Sequence, residues 1–243
     1  MSTTPINISR EEELEWLEEI ATNRDIVKSL RTFSNIFYET SVFSTSFSME
    51  DQVIAHLLFS NDIDVNVFTL DTGRLFAETY TVWAETVEKY GKPIRTYYPQ
   101  TEEIENFVEQ NGPNGFYESV EKRMDCCAIR KVAPLKRAIA GQKIWITGIR
   151  SEHSSNRTSM NKIEWDESNQ IFKYHPLLNW TTEELQAFIK QNHIPINPLH
   201  EQGFVSIGCA PCTRAIAPGE DFRAGRWWWE DANKKECGLH IHK

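Results

Sequence analysis

The chain has 243 residues, 40% of them hydrophobic and 25% charged, the size and make-up of one large globular domain. Its formal net charge of −9 argues against a general binder of nucleic acid or of an anionic membrane, while leaving room for a local basic pocket. No basic and apolar leader follows Met1, and no apolar run approaches a membrane span, so a cytoplasmic protein without a membrane partner is expected.

Ser9 and Glu12 form a capping-box pattern ahead of Leu14, Leu17 and Ile20 at helical spacing. A second helix is predicted over about 24–38, through Ile26, Val27, Leu30 and Phe33. Residues 1–40 thus read as a helical cover with no visible chemistry. Val42–Thr45 then reads as a short buried strand running into Ser46-Phe47-Ser48-Met49-Glu50-Asp51, with a helix beyond. Strand, hydroxyl-rich turn and helix is the geometry in which backbone N–H groups receive a phosphate or sulfate. The turn lacks the glycines and lysine of a Walker A loop, and a plain turn with Ser48 or Asp51 capping the helix fits equally well.

Asp64–Leu70 reads as a second strand ending in Asp71-Thr72-Gly73-Arg74, a helix follows over about 75–90, and Ile94–Tyr98 reads as a third strand. Further helices are predicted after Thr101 and through Val132, Leu135 and Ile139. Lys143–Gly148 reads as a strand, Ile171–His175 as another, and Thr181 with Glu184 opens a helix to about 191. Strands alternating with helices predict an α/β fold, a Rossmann-like, mostly parallel sheet whose ligands sit at the carboxyl ends of its strands. The stretches Ser44–Asp51 and Leu70–Arg74 both lie at such ends.

Four of the five cysteines fall into Cys126-Cys127 and Cys209-Ala210-Pro211-Cys212. Adjacent cysteines are poorly placed to bridge each other or to be neighbouring ligands of one small ion. They suit a larger group on which each sulfur reaches a different metal atom, and four thiolates is the ligand count of a [4Fe-4S] cluster. A four-cysteine zinc site and reduced core cysteines stay open. Near the C-terminus, Arg223 and Arg226 precede three consecutive tryptophans, Trp227 to Trp229, which cannot all face one core. Cys237 follows close to lysines and His240, surroundings that favour a thiolate.

With Cys126-Cys127, Cys209-x-x-Cys212 and Glu236-Cys237-Gly238-Leu239-His240 in hand, the chain resembles the assimilatory adenylyl-sulfate (APS) reductases. These are the iron–sulfur branch of the phosphoadenylyl-sulfate (PAPS) reductase family. The resemblance implies an adenine nucleotide alpha hydrolase-like sheet with helices on both faces, a body over 41–215 and a catalytic extension over 216–243. It implies that Cys126, Cys127, Cys209 and Cys212 ligate one [4Fe-4S] cluster with Lys131 beside it. Ser44, Thr45, Ser46, Ser48 and Asp51 then match the family's phosphate loop, with Ser48 standing where relatives commonly have glycine. Leu70, Thr72, Gly148 and Arg157 match nucleotide contacts, and Arg223 and Arg226 match a basic pair facing the sulfate. Cys237 matches the nucleophile and His240 a residue that holds or activates the closed tail. The implied reaction is reduction of APS to sulfite and AMP through an S-sulfocysteine, discharged by thioredoxin or glutaredoxin, in sulfate assimilation and cysteine biosynthesis. PAPS or dual specificity, an ATP-using relative, a nucleotide sensor without turnover, and a homo-oligomer remain open at this point.

Overall fold

The computed structural model describes residues 9–153 and 160–230. Six strands, β1 (Ser41–Ser44), β2 (Asn66–Leu70), β3 (Arg95–Tyr97), β4 (Ile144–Ile146), β5 (Ile163–Asp166) and β6 (Ile171–Tyr174), form one sheet in the order β3-β2-β1-β4-β6-β5. Pairing is parallel from β3 through to β6, and β5 joins β6 antiparallel. Successive strand residues point to opposite faces, and the apolar side chains sort accordingly. Phe43, Val67, Ile146 and Phe172 enter one cluster, while Val42, Phe68, Trp145 and Ile171 enter the other.

The first face is covered by α1 (Arg10–Ala21), α2 (Ile26–Ile36), α3 (Met49–Ser60), α4 (Ala77–Tyr90) and α8 (Thr182–Gln191). Their contributions include Leu17, Leu30, Phe33, Ile54, Leu58, Val82 and Leu185. The second face is packed by α7 (Ala133–Ile139) through Leu135, Ala138 and Ile139. The expected α/β sheet with helices on both faces is therefore present. Between β3 and β4 the chain also forms α5 (Thr101–Asn111) and α6 (Val120–Cys127).

Several helix starts are capped as the sequence anticipates. Ser9 and Thr181 form full capping boxes with Glu12 and Glu184, and the Ser48 hydroxyl accepts from Asp51 N–H at the head of α3. The edge strand β5 was not anticipated, because Glu164, Trp165 and Asp166 carry too little apolar character to signal a strand. It forms through tertiary contacts: Asp166 pairs with Lys173 on β6, and the Arg10 guanidinium lies 3.8 Å from the Trp165 ring centroid. Among the described residues, no helix is long and apolar enough to cross a membrane.

Phe33 links α2 to the sheet. It is fully buried and its ring centroid lies 4.6 Å from that of Tyr174. Phe33→Ala is expected to lower the unfolding free energy by about 3–5 kcal/mol within a single cooperative transition, as read by denaturant titration. A separate early transition would show the N-terminal helices to fold as an independent unit.

Candidate active site

In the sheet order, β1 lies between β2 and β4, so the chain leaves it in opposite directions and opens a crevice beyond the carboxyl ends of β1 and β4. Ser44, Thr45, Ser46 and Ser48 line this crevice from one side and Thr147 and Gly148 from the other. The loop between β1 and α3 holds its shape through its own side chains. Ser46 donates to Asp51 Oδ2 from its backbone N–H (2.6 Å) and from its hydroxyl (2.7 Å), and Phe47 N–H donates to Thr45 Oγ1 (3.0 Å). The left-handed residue of the loop is Phe47, at φ 61°, held there by burial and by stacking on Trp83 at 5.5 Å. Ser48, with φ −66°, needs no glycine-like freedom and serves as the helix cap.

Asp51, on the first turn of α3, fixes this loop. Burial pushes its carboxyl up to about 6, against the opposing pull of the Ser46 bonds. Gly148 is dictated by the same carboxylate: a Cβ there would stand 2.3 Å from Asp51 Oδ1. The two residues therefore bring the ends of β1 and β4 together at closest approach.

The crevice is a cavity of about 290 Å³, close to the lower limit for small-molecule sites. Leu70 and Thr72 line it, and Lys131, Arg223 and Arg226 bring cations to it. The two arginines arrive because the chain after Cys212 folds back. Trp227 N–H donates to Cys212 O (3.1 Å), Arg214 N–H donates to Gly225 O (3.0 Å), and Thr213 bridges Arg226 antiparallel. Gly208 makes the seat for Arg226, since a Cβ at 208 would lie 2.4 Å from Nη2 and 2.6 Å from Cζ of that guanidinium. Arg226 Nε is buried with no hydrogen-bond partner among the described residues. A cation so placed is suited to receive an anion.

Cys126, Cys127, Cys209 and Cys212 surround a second, smaller cavity together with Arg74, Arg123, Arg130 and Lys131. None of the four is in a disulfide. Burial raises the Cys126 thiol, and burial and then Cys209 push Cys212 up to about 12. Left as bare thiols, Cys126 and Cys212 hold their protons more tightly than a free cysteine. A bound metal group is what would favour four thiolates here, and the cationic wall suits the negative charge of such a group. The donor set therefore fits the [4Fe-4S] ligand count, although among the described residues no three His, Cys, Asp or Glu side chains are gathered tightly enough for one small ion. Lys131 lines both cavities, as does the segment around Cys209: Thr72, on the crevice wall, hydrogen-bonds Cys209 Sγ through Oγ1 at 3.3 Å.

All four clustered cysteines, Lys131, Arg223, Arg226, Gly148 and the predicted residues of the β1 and β2 ends thus meet around two adjoining cavities. Arg157, Cys237 and His240 lie outside the described residues. Sequence reasoning missed Arg130, which is buried and donates to Thr72 O (2.6 Å); it singled out the three tryptophans without choosing among them, and the one that lines the crevice is Trp227, packed against the cysteine cluster. It also missed His200 on the crevice wall, whose Nδ1 is bonded to Phe204 O (2.8 Å) and whose buried Nε2 has no partner among the described residues. Arg130 could have been read from its place beside Lys131. Both basic residues stand four positions after a cysteine, Arg130 after Cys126 and Lys131 after Cys127, a spacing that shares a helix face; the π turn Ala128–Val132 that carries them is signalled by no residue pattern.

Sheet order, crevice and basic lining define an α/β protein built to hold an anionic ligand at the carboxyl ends of its strands. The chain belongs to the phosphoadenosine phosphosulfate reductase domain family, which matches residues 40–215. A Burkholderia cepacia protein named adenosine 5'-phosphosulfate reductase is 48% identical over 199 residues, covering 82% of this chain and 80% of its own. A protein of the same name from Rhizobium meliloti (strain 1021) is 51% identical over 201 residues, covering 83% and 76%. The phosphate complex of PAPS reductase from Candida auris has the same fold, with a TM-score of 0.72 at 24% identity, covering 87% of this chain and 99% of that one.

Two predictions test the crevice. The folded Asp51 carboxyl holds its proton more tightly than the unfolded one, so its contribution to stability is complete below about 3.8 and lost as pH rises through about 6. Asp51→Asn is therefore expected to be more stable than the parent at pH 8, by an amount on the order of 2 kcal/mol, with the difference closing below pH 6; thermal melts across that range read it. Gly208→Ala is expected to push the Arg226 guanidinium from its seat and weaken ADP binding about tenfold with little change in Tm, as read by calorimetric titration.

Proposed function

We propose that the protein is an adenylyl-sulfate reductase, converting APS to sulfite and AMP with electrons from a dithiol protein such as thioredoxin. The activity named for its 47–51% identical relatives supports this reading. The single observation that carries it at the level of the site is the meeting of Lys131, Arg223 and Arg226 with the β1–α3 loop, beside a cavity walled by four cysteines. On this reading residues 1–40 cover the sheet, 41–215 hold nucleotide and cluster, and 216–243 carry the attacking cysteine of a cytoplasmic enzyme.

APS joins a sulfate to a phosphate, so AMP leaves readily once its charge is held. The hydroxyls of Ser44, Thr45 and Ser48, which accept bonds within the protein, keep their own protons to donate to the anion, Ser46 shapes the loop through Asp51, and the three cations neutralise the ligand. Leu70 and Thr72 accommodate adenine and ribose. The Cys237 thiolate attacks the sulfur of APS, the S–O bond to phosphate breaks, and AMP departs with the electron pair. A thiolate of the reductant then attacks Cys237 Sγ, releasing sulfite and leaving a mixed disulfide. The second thiol of the reductant resolves it and returns Cys237 to the thiolate. His240 assists the tail cysteine, and Arg157 adds a nucleotide contact. Cys126, Cys127, Cys209 and Cys212 would hold a [4Fe-4S] cluster, which supplies electrostatic bias next to Lys131 rather than the electrons of the reaction.

Protein purified without oxygen and supplied with thioredoxin is expected to release sulfite from APS. Cys237→Ser should abolish sulfite release, leave the visible absorbance of the loaded protein intact, and fail to form the covalent sulfonated species seen by mass spectrometry in the parent. Full turnover by that variant would remove Cys237 from the mechanism, and absence of sulfite from the parent would refute the activity itself.

A further inference from the structure

Arg123, on α6 three residues before Cys126, is one of the largest fully buried side chains of the fold. Its Nε and Nη2 donate to Glu230 Oε1 (2.9 Å) and Oε2 (2.8 Å), and the two side chains are 1% and 3% exposed. A buried pair of this kind is costly to desolvate, and an apolar pair of the same volume often stabilises a fold as well or better. Stability alone therefore does not account for it.

Neither residue lines the crevice. Trp227 does, and it stands between the crevice and the ion pair. The Arg123 guanidinium lies 4.7 Å from the Trp227 ring centroid, with Arg226 at 4.9 Å and Arg223 at 5.9 Å. Three guanidinium groups thus share one indole. Trp227 also has φ 42°, a left-handed conformation that a bulky residue adopts only where its surroundings impose it. The imposing contacts are the Trp227 N–H bond to Cys212 O on one side and, on the other, the turn closed by Glu230 N–H to Trp227 O (2.9 Å). The far end of that turn is the residue gripped by Arg123.

We propose that Arg123 and Glu230 are positioning residues for the anion crevice: by clamping the 227–230 turn to α6 they hold Trp227, and through its indole they aim Arg223 and Arg226. The pair would thereby tie the helix that bears Cys126 and Cys127 to the arginines that receive the ligand. This rests on the crevice binding an anionic adenine nucleotide, as proposed above.

The test compares ADP, whose second phosphate stands in for sulfate, with adenosine, which carries no charge, by calorimetric titration of the cluster-loaded protein. Glu230→Gln is expected to weaken ADP about tenfold, equivalent to roughly 1.4 kcal/mol, to leave adenosine unchanged, and to speed amide exchange in 223–230 but not in α6. Because a lone buried charge can cost the fold, the double variant Arg123→Met with Glu230→Leu is measured beside it, with the same selective loss expected. Equal loss of ADP and adenosine in the folded variants would reduce the pair to a structural contact. Full ADP affinity in either variant would overturn the clamp outright. Should the parent bind neither ligand, the nucleotide reading fails, and unaltered exchange in 223–230 would then sink the clamp on its own.

Discussion

Charge balance at one end of the sheet is the constraint on which the rest of the molecule depends. The chain is acidic overall, with a net charge of −9, yet six basic residues, Arg74, Arg123, Arg130, Lys131, Arg223 and Arg226, surround two adjoining cavities at the carboxyl ends of its strands. Buried cations are tolerated only when paired or bonded. Arg123 has Glu230, Arg130 has the Thr72 carbonyl, and Arg74 has Pro113 O and Asn114 Oδ1. Against that bonded background, Arg226 keeps a buried Nε without a partner among the described residues. An anionic ligand in the crevice and thiolates in the neighbouring cavity would complete the balance from both sides.

Shape follows from the same requirement. The closest approach of β1 and β4 is set by Gly148 against the Asp51 carboxylate, and the seat of Arg226 by the missing side chain at Gly208. In both places a glycine makes room for a neighbour's charged group rather than for an unusual backbone angle. Where the backbone is left-handed inside the site, aromatic burial and stacking supply the restraint at Phe47, and backbone hydrogen bonds on either side supply it at Trp227. Asp51 contributes from the first turn of α3: buried, and accepting from the Ser46 N–H and hydroxyl, it holds the loop in shape on the crevice wall.

Much of this was legible in the sequence, because local signals and tertiary demands agree. Capping boxes at Ser9 and Thr181, apolar strands alternating with helices, and polar strand ends at Ser44 and Leu70 lead directly to the sheet and to the crevice beside it. Strand β5 was not legible, since it owes its extended state to the ladder with β6, to the Asp166–Lys173 pair and to Arg10 lying over Trp165. The roles of Trp227 and Arg123 depend on a chain reversal between residues 212 and 227 that no spacing encodes. Ser48 shows the reverse case: its hydroxyl caps α3, and the special backbone angle falls one residue earlier, on Phe47.

The wide turn at Ala128–Val132 joins a helix that faces the cysteine cavity to one that faces the sheet. Each residue advances an α-helix by about 100°, so an unbroken α-helix from Cys126 to Leu135 would put those two side chains on opposite sides of one rod. The wider turn slackens that advance and swings them round toward neighbouring faces. It works as a phase shifter, setting the angle between the ionic chamber served by one half of the chain and the hydrocarbon surface served by the other.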